Sequence, residues 1–240
     1  MFSDTHFHFK TMTKEWGVDG GKTLSDMAAR DCFFGMDIGT KPQDLEERVE
    51  AINKTIAGIS DAEIAQKIKN FVYYSAGIWP EVQYIHNRQQ AVKQLEDSIT
   101  AGSVKIVALG ECGLDHHWNP SGVDGRSLND FDEQTFLGEQ ELFKMQLELA
   151  KKLQLPVIIH SRDAFEDTLD CIKNVGYHNG IIHCYSYGLE EAKAFLDLGW
   201  YISFCGTVTY GGKKNFNDMA EVVSYVPKDR LIIESDSPYY

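Results

Sequence analysis

The sequence predicts an α/β fold arranged as a (β/α)8 barrel, and three observations predict it. Eight short apolar runs alternate with amphipathic stretches along 240 residues. Several of those stretches open on proline or acids, or close on glycine, as helices do. Five of the eight runs end, on their C-terminal side, in histidines or acids, which a barrel would gather at one mouth. A doubly wound open sheet is the alternative, but it gives no reason for that recurrence. The length suits one large domain or two small ones, and the alternation runs unbroken, so residues 1–240 read as a single domain.

The apolar runs fall at 2–6, 32–38, 71–77, 104–110, 156–160, 180–183, 200–204 and 230–234. "PQDLEERVEAINKTIAGI" begins with proline and acids, so a helix starts there. "QYIHNRQQAVKQLEDSITAG" closes at glycine. "DEQTFLGEQELFKMQLELAKKLQ" sets Phe136, Leu142, Phe143, Leu147 and Ala150 at helical spacing. "RDAFEDTLDCIKNVG" and "LEEAKAFLDLG" both stop at glycine, and "NDMAEVVSYVP" fills the gap before the eighth run. "TMTKEWGVDGGKTL" (11–24) and "HHWNPSGVDGRSLNDF" (116–131) read as two long loops on the rim.

Hydrophobic residues make up 43% of the chain, enough for a substantial core. Thirty-six acids against 23 bases leave a net charge of −13, which argues against broad binding to nucleic acid. A small phosphate site fed by bound metal is still compatible with it. Five cysteines without a C-x-x-C pair suit a reduced, cytoplasmic protein. No signal-peptide pattern and no apolar stretch of about 20 residues occurs, so no membrane partner is expected.

The chemistry sits at the run ends: "DTHFH", "GECGLD", "IIHSRD", "IIHCYS" and "IIESDSP". His6 and His8 are two apart, which puts both imidazoles on one face of a strand. With Glu111, His160, His183 and Asp236 they form a mixed imidazole and carboxylate set suited to borderline divalent metals. Six ligands exceed one tetrahedral ion. Two ions, about 3.5–4 Å apart in such centres, are the economical arrangement. His6, His8 and Asp236 would hold one, His160 and His183 the other, with Glu111 as the bridge. A water between the ions would lose its proton near neutral pH, and Asp236 would accept it and return it to the leaving group. Glu111 and Asp236 are therefore also the catalytic candidates. Affinity order favours Zn²⁺ or Mn²⁺ over Mg²⁺ for so much nitrogen.

In order and spacing, "DTHFH", "GECGLD", "PVIIHSRDA", "HCYSYG", "G.VTYGGKK" and "ESDSPY" resemble the TatD-like metal-dependent hydrolases, the TatD DNase family of amidohydrolase-like barrels. The resemblance runs from residue 3 to 240. It implies a TIM barrel with a dinuclear site and, in several members, Mg²⁺-dependent deoxyribonuclease activity. His6, His8, Glu111, His160, His183 and Asp236 each fall on a family ligand position. Three departures stand out. "GIHP" of many members is "GIWP" here, so Trp79 replaces an imidazole and offers a face on which a base could stack. "HCFSG" becomes "HCYSYG". The chain stops at Tyr240, two residues after "SDSP", where family members continue with a loop and helix. A barrel lacking its final helix, or a C-terminally truncated fragment, is the expectation.

Arg162 follows His160 by two and would grip a phosphate or carboxylate bidentately, the alternative being an ion pair with Asp163, Glu166 or another rim acid. Lys213 follows the seventh run, where barrels often bind phosphate. Trp79 and His117 complete the substrate-binding candidates. Asp4 shares parity with His6 and is expected to orient an imidazole. Glu234 is expected in an interior ion pair, and Cys112 and Cys184, by strand parity, to point into packing. The leading function is phosphodiester hydrolysis, a deoxyribonuclease acting on a DNA end or short single strand. Hydrolysis of an ester, amide or aminoacyl bond on the same metals is the second reading, and a metal-binding protein without turnover the third.

Overall fold

The computed structural model describes residues 1–117, 126–130, 132–210 and 212–239, the side chains of 212–216 excepted. Eight parallel strands follow one another in chain order: β1 (Phe2–Phe7), β2 (Cys32–Asp37), β3 (Val72–Ala76), β4 (Ala108–Asp115), β5 (Val157–Arg162), β6 (Gly180–Ile182), β7 (Tyr201–Phe204) and β8 (Leu231–Ile233). Between the end of β1 and the residues just past β8, Phe7 bridges Ser237 and the Asp236 N–H bonds to the His6 carbonyl at 2.8 Å. The sheet is thus a nearly closed (β/α)8 barrel.

Helices fill every crossover. α1 (Phe9–Lys14) and α2 (Gly20–Ala29) join β1 to β2, α3 (Leu45–Ala57) and α4 (Ala62–Phe71) join β2 to β3, and α5 (Val82–His86) and α6 (Arg88–Ala101) join β3 to β4. α7 (Glu133–Leu153), α8 (Phe165–Val175), α9 (Leu189–Asp197) and α10 (Gly212–Tyr225) follow one per crossover. Residues 234–239, beyond β8, form no helix.

Three expectations are corrected. Segment 11–24 is not a plain loop: α1 ends in it and α2 starts in it, the latter capped by the Asp19 carboxylate, which accepts from the Lys22 N–H. A separate α4 stands before β3, capped by Asp61 through the Glu63 and Ile64 N–H groups. β4 runs 108–115 rather than 104–110, so "GECGLD" belongs to the strand itself. Of the second expected loop, residues 118–125 and 131 lie outside the described residues.

Strand alternation sorts the core into two layers. Val157 and Ile159 face the helices and join the large cluster containing Phe143, Phe195, Ile172 and Trp200. Ile158, of opposite parity, packs with Met36, Ile38 and Ala108 in a small separate cluster. His160 shares the parity of Ile158, so the same rule that builds this inner plug sends the imidazole to the barrel mouth.

Candidate metal centre

Glu111 reaches the mouth because β4 is irregular. Its pairing with β5 shifts register between Leu109 and Cys112, which re-aims the side chain in between. Gly113 lets the two strands close on each other. Its φ is +148°, and a Cβ there would overlap the His160 carbonyl. Cys112, as expected, is buried in packing.

The six expected ligands meet at one point. His6 Nε2 and His8 Nε2 lie 3.2 Å apart, and both approach Asp236 Oδ1, at 3.5 and 3.4 Å. Glu111 Oε2 lies 3.4 Å from His6 Nε2, while Glu111 Oε1 lies 2.9 Å from His160 Nδ1 and 3.2 Å from His183 Nε2. Two groups of three offer mutually adjacent donor atoms: His6, Glu111 and His183, and His6, His8 and Asp236. His6 is common to both and fully buried. His160 stands beside the first group through Glu111.

Neighbouring carboxylates hold the imidazoles from behind. His160 Nε2 pairs with Asp115 Oδ2 at 2.8 Å, and His183 Nδ1 with Glu234 Oε1 at 3.2 Å. Glu234 thus occupies the interior pairing expected of it. Asp115 was not legible as a site residue. Its own backbone is clamped, its N–H bonding to Glu139 Oε1 at 2.7 Å and its carbonyl accepting from Arg126.

The electrostatics fit a cation. Burial pushes His160 down, but its hydrogen bonds to Asp115 and Glu111 prevail and raise it to about 9. Burial likewise opposes charge on His183, and the Glu111 and Glu234 charges overcome it, holding the imidazole well above its ordinary value. Burial raises Glu111, yet the surrounding histidines bring it well below the usual carboxylate range. A cluster that draws protons onto its imidazoles has an excess of negative potential. Donor separations of 3.2–3.5 Å match those around one ion bound tetrahedrally at about 2.0–2.1 Å, whose edges are roughly 3.3 Å. The residues present therefore fit divalent metal.

Above the floor lies a cleft of about 820 Å³, reaching Trp79, Arg162 and Tyr239 as well as His160 and Asp236. Arg162 has no ion pair or side-chain hydrogen bond among the described residues; neither Asp163 nor Glu166 holds it. Trp79 and His160 form a T-shaped pair, ring centroids 5.7 Å apart, with the Arg126 guanidinium 5.7 Å from the centre of the indole ring. His117 does not line the cleft. Its Nδ1 is engaged by Asp163 Oδ2 at 2.7 Å. The Lys213 side chain lies outside the described residues.

Asp4 and Cys184 take other places than strand parity assigns them. Asp4 does not touch an imidazole; its Oδ1 accepts the Ser235 and His6 N–H groups, at 3.0 and 3.3 Å, and so ties β1 to the end of β8. Cys184 lines the cleft instead of pointing away from it, because its backbone is left-handed (φ +45°) and breaks the alternation just after β6.

With this geometry in view, the family model described as TatD related DNase matches residues 3–240. The chain belongs to that family. Its relatives include the uncharacterized metal-dependent hydrolase YabD of Bacillus subtilis, 34% identical over 200 residues, covering 80% of this chain and 70% of YabD. Another is the metal-dependent hydrolase YcfH of Escherichia coli K12, 31% identical over 239 residues, covering 98% of this chain and 77% of YcfH. The crystal structure of YJJV, a TatD homologue from Escherichia coli, superposes with a TM-score of 0.71 at 26% identity, covering 99% of this chain and 79% of that one. As a TatD-family protein, the chain is a metal-dependent hydrolase. No helix among the described residues is long and apolar enough to cross a membrane.

Proposed function

We propose that this TatD-family protein hydrolyses phosphodiester bonds in DNA, at a strand end or along a short single strand, with two divalent ions as cofactors. The observation that carries the reading is the meeting of four imidazoles with Glu111 and Asp236 beneath a cleft whose wall holds the Arg162 guanidinium, unpaired among the described residues. Divalent ions, when bound, supply Lewis acidity toward a phosphoryl oxygen and lower the pKa of water.

The residues divide the remaining work. His6, His8 and Asp236 would hold one ion, and His160 and His183, with Glu111, the other. His6 borders both sets. Asp236 would accept the proton of the attacking water and return it to the leaving oxygen. Arg162 binds a non-bridging phosphate pair, and Trp79 stacks on the adjoining base. The net charge of −13 disfavours wrapping a duplex, which restricts the substrate to ends and single strands.

The test uses protein stripped by a chelator and reloaded separately with Mg²⁺, Mn²⁺ or Zn²⁺. Each form is given end-labelled single-stranded and duplex oligonucleotides and, in parallel, an aminoacyl ester. Oligonucleotide cleavage that depends on reloading and is lost in His160→Ala is expected. Turnover of the ester alone would move the chemistry to carbonyl centres. Metal uptake with no turnover of any substrate would remove the enzymatic reading.

A further inference from the structure

Two thiols meet at the cleft wall without forming a bond. Cys184, just after β6, and Cys205, just after β7, are both free, and their Sγ atoms lie 2.9 Å apart. The pairing has a local cause. The Cys184 N–H is held by Glu234 Oε1 at 2.6 Å, and the left-handed backbone there turns the side chain sideways, toward the neighbouring loop. On that loop Cys205 Sγ is fixed by Thr207 Oγ1 at 3.1 Å. Cys184 is part-exposed and lines the cleft, whereas Cys205 is buried behind it. The other three cysteines are buried, and each thiol lies against a backbone carbonyl elsewhere, Cys32 by Phe34, Cys112 by Ile158 and Cys171 by Gln140.

The geometry points to Cys184 and Cys205 as a redox-active dithiol that closes to an intramolecular disulfide in the presence of a low-molecular-weight disulfide. Closing an S–S bond of about 2.05 Å needs the sulfurs to approach by less than an ångström, a side-chain movement. Cys184 is the thiol a solute reaches. Its thiolate, having released a proton to solvent, attacks one sulfur of the oxidant and expels the first thiolate. Cys205 then attacks the Cys184 sulfur, forms the S–S bond and expels the second, which with the first takes up the two protons released. Two protein thiols are oxidised by two electrons, and one external disulfide is reduced to two thiols. The product ties the loop that follows His183 covalently to the loop after β7.

The test equilibrates the folded chain with glutathione disulfide, quenches it in acid, alkylates under denaturing conditions and maps the peptides by mass spectrometry. The expected result is the loss of two of five alkylatable thiols, with a Cys184–Cys205 linked peptide two hydrogens lighter than its separate halves. In Cys205→Ser the second step is blocked, and a glutathione adduct on Cys184 accumulates. Full alkylation of both cysteines in the wild type, or linkage of either to Cys32, Cys112 or Cys171 instead, would overturn the assignment.

Discussion

His160 is held between two carboxylates, with Asp115 Oδ2 2.8 Å from Nε2 and Glu111 Oε1 2.9 Å from Nδ1. A ligand imidazole commonly has its second N–H fixed in this way by an acceptor behind it. Asp115 is thus a positioning residue, and it is itself immobilised by Glu139 and Arg126. Asp115→Asn should weaken metal binding about 10- to 100-fold. Titration of the apo-protein with Mn²⁺, followed by calorimetry, measures this directly; an unchanged affinity would assign Asp115 a purely structural task.

Arg162 lines the cleft and makes no ion pair among the described residues. Stability therefore gains little from its charge, whereas an anionic substrate would gain a bidentate partner. Arg162→Gln should leave the unfolding free energy within about 0.5 kcal/mol of wild type. Because bonds to charged groups contribute roughly 1.5–3 kcal/mol, kcat/KM for an oligonucleotide should fall about 10- to 150-fold. A fall in Tm that matched the loss of activity would count against the substrate role.

Trp79 meets His160 in a T-shaped contact at the cleft wall, their rings 69° apart. If a base stacks on the indole, Trp79→Ala loses roughly 1–3 kcal/mol of substrate binding, about 5- to 150-fold in KM, with kcat nearly unchanged. Steady-state kinetics on a single-stranded oligonucleotide and on a small phosphodiester without a base separate the cases. Only the first substrate should respond.

How much of this was legible depends on whether a feature is local. The six metal-site residues could be read because strand ends of a parallel barrel converge whatever the intervening chain does. His6 and His8 needed only a two-residue period. Where the backbone leaves that period, reading by parity fails. Cys184 at φ +45° faces the cleft, and the register shift in β4 moves "GECGLD" into the strand. Asp115 was missed because its task depends on His160, 45 residues away, and on a clamp from Arg126 and Glu139 that no spacing announces. Helix α4 was missed because its start signal, Asp61, closely follows the end of α3.

On α3, in the crossover from β2 to β3, Arg48 is buried and joins its helix to both strands. Its Nη1 bonds Asp37 Oδ2 at 2.6 Å, Nη2 bonds the Ser75 carbonyl at 2.6 Å, and Nε lies 3.0 Å from Asp44 Oδ1. The partner carboxylate, Asp37, also accepts the Phe9 N–H at 2.9 Å, one residue after His8. Arg48→Met leaves Asp37 buried without its counter-charge and should destabilise the fold by about 3–5 kcal/mol in urea denaturation. Asp37→Asn combined with Arg48→Met removes the stranded charge and should recover part of the loss. If the double variant is no more stable than the single one, the damage comes from lost packing and not from the uncompensated carboxylate.

His6 and His8 differ in how many donor groups they serve. His6 belongs to both groups, its Nε2 lying 3.4 Å from Glu111 Oε2, 3.2 Å from His8 Nε2 and 3.5 Å from Asp236 Oδ1, whereas His8 belongs to the second group alone. Losing His8 should therefore cost mainly one ion, and losing His6 should cost that ion and also loosen His183, whose ring is stacked on it at 4.0 Å. Each ion that binds only the folded chain stabilises it by about 2.7 kcal/mol at a free concentration 100 times its Kd. Metal analysis after gel filtration, paired with thermal melts at matched Mn²⁺, should find more residual metal and a larger metal-induced rise in Tm in His8→Ala than in His6→Ala. Equal losses in the two variants would mean that the site does not divide along these two groups.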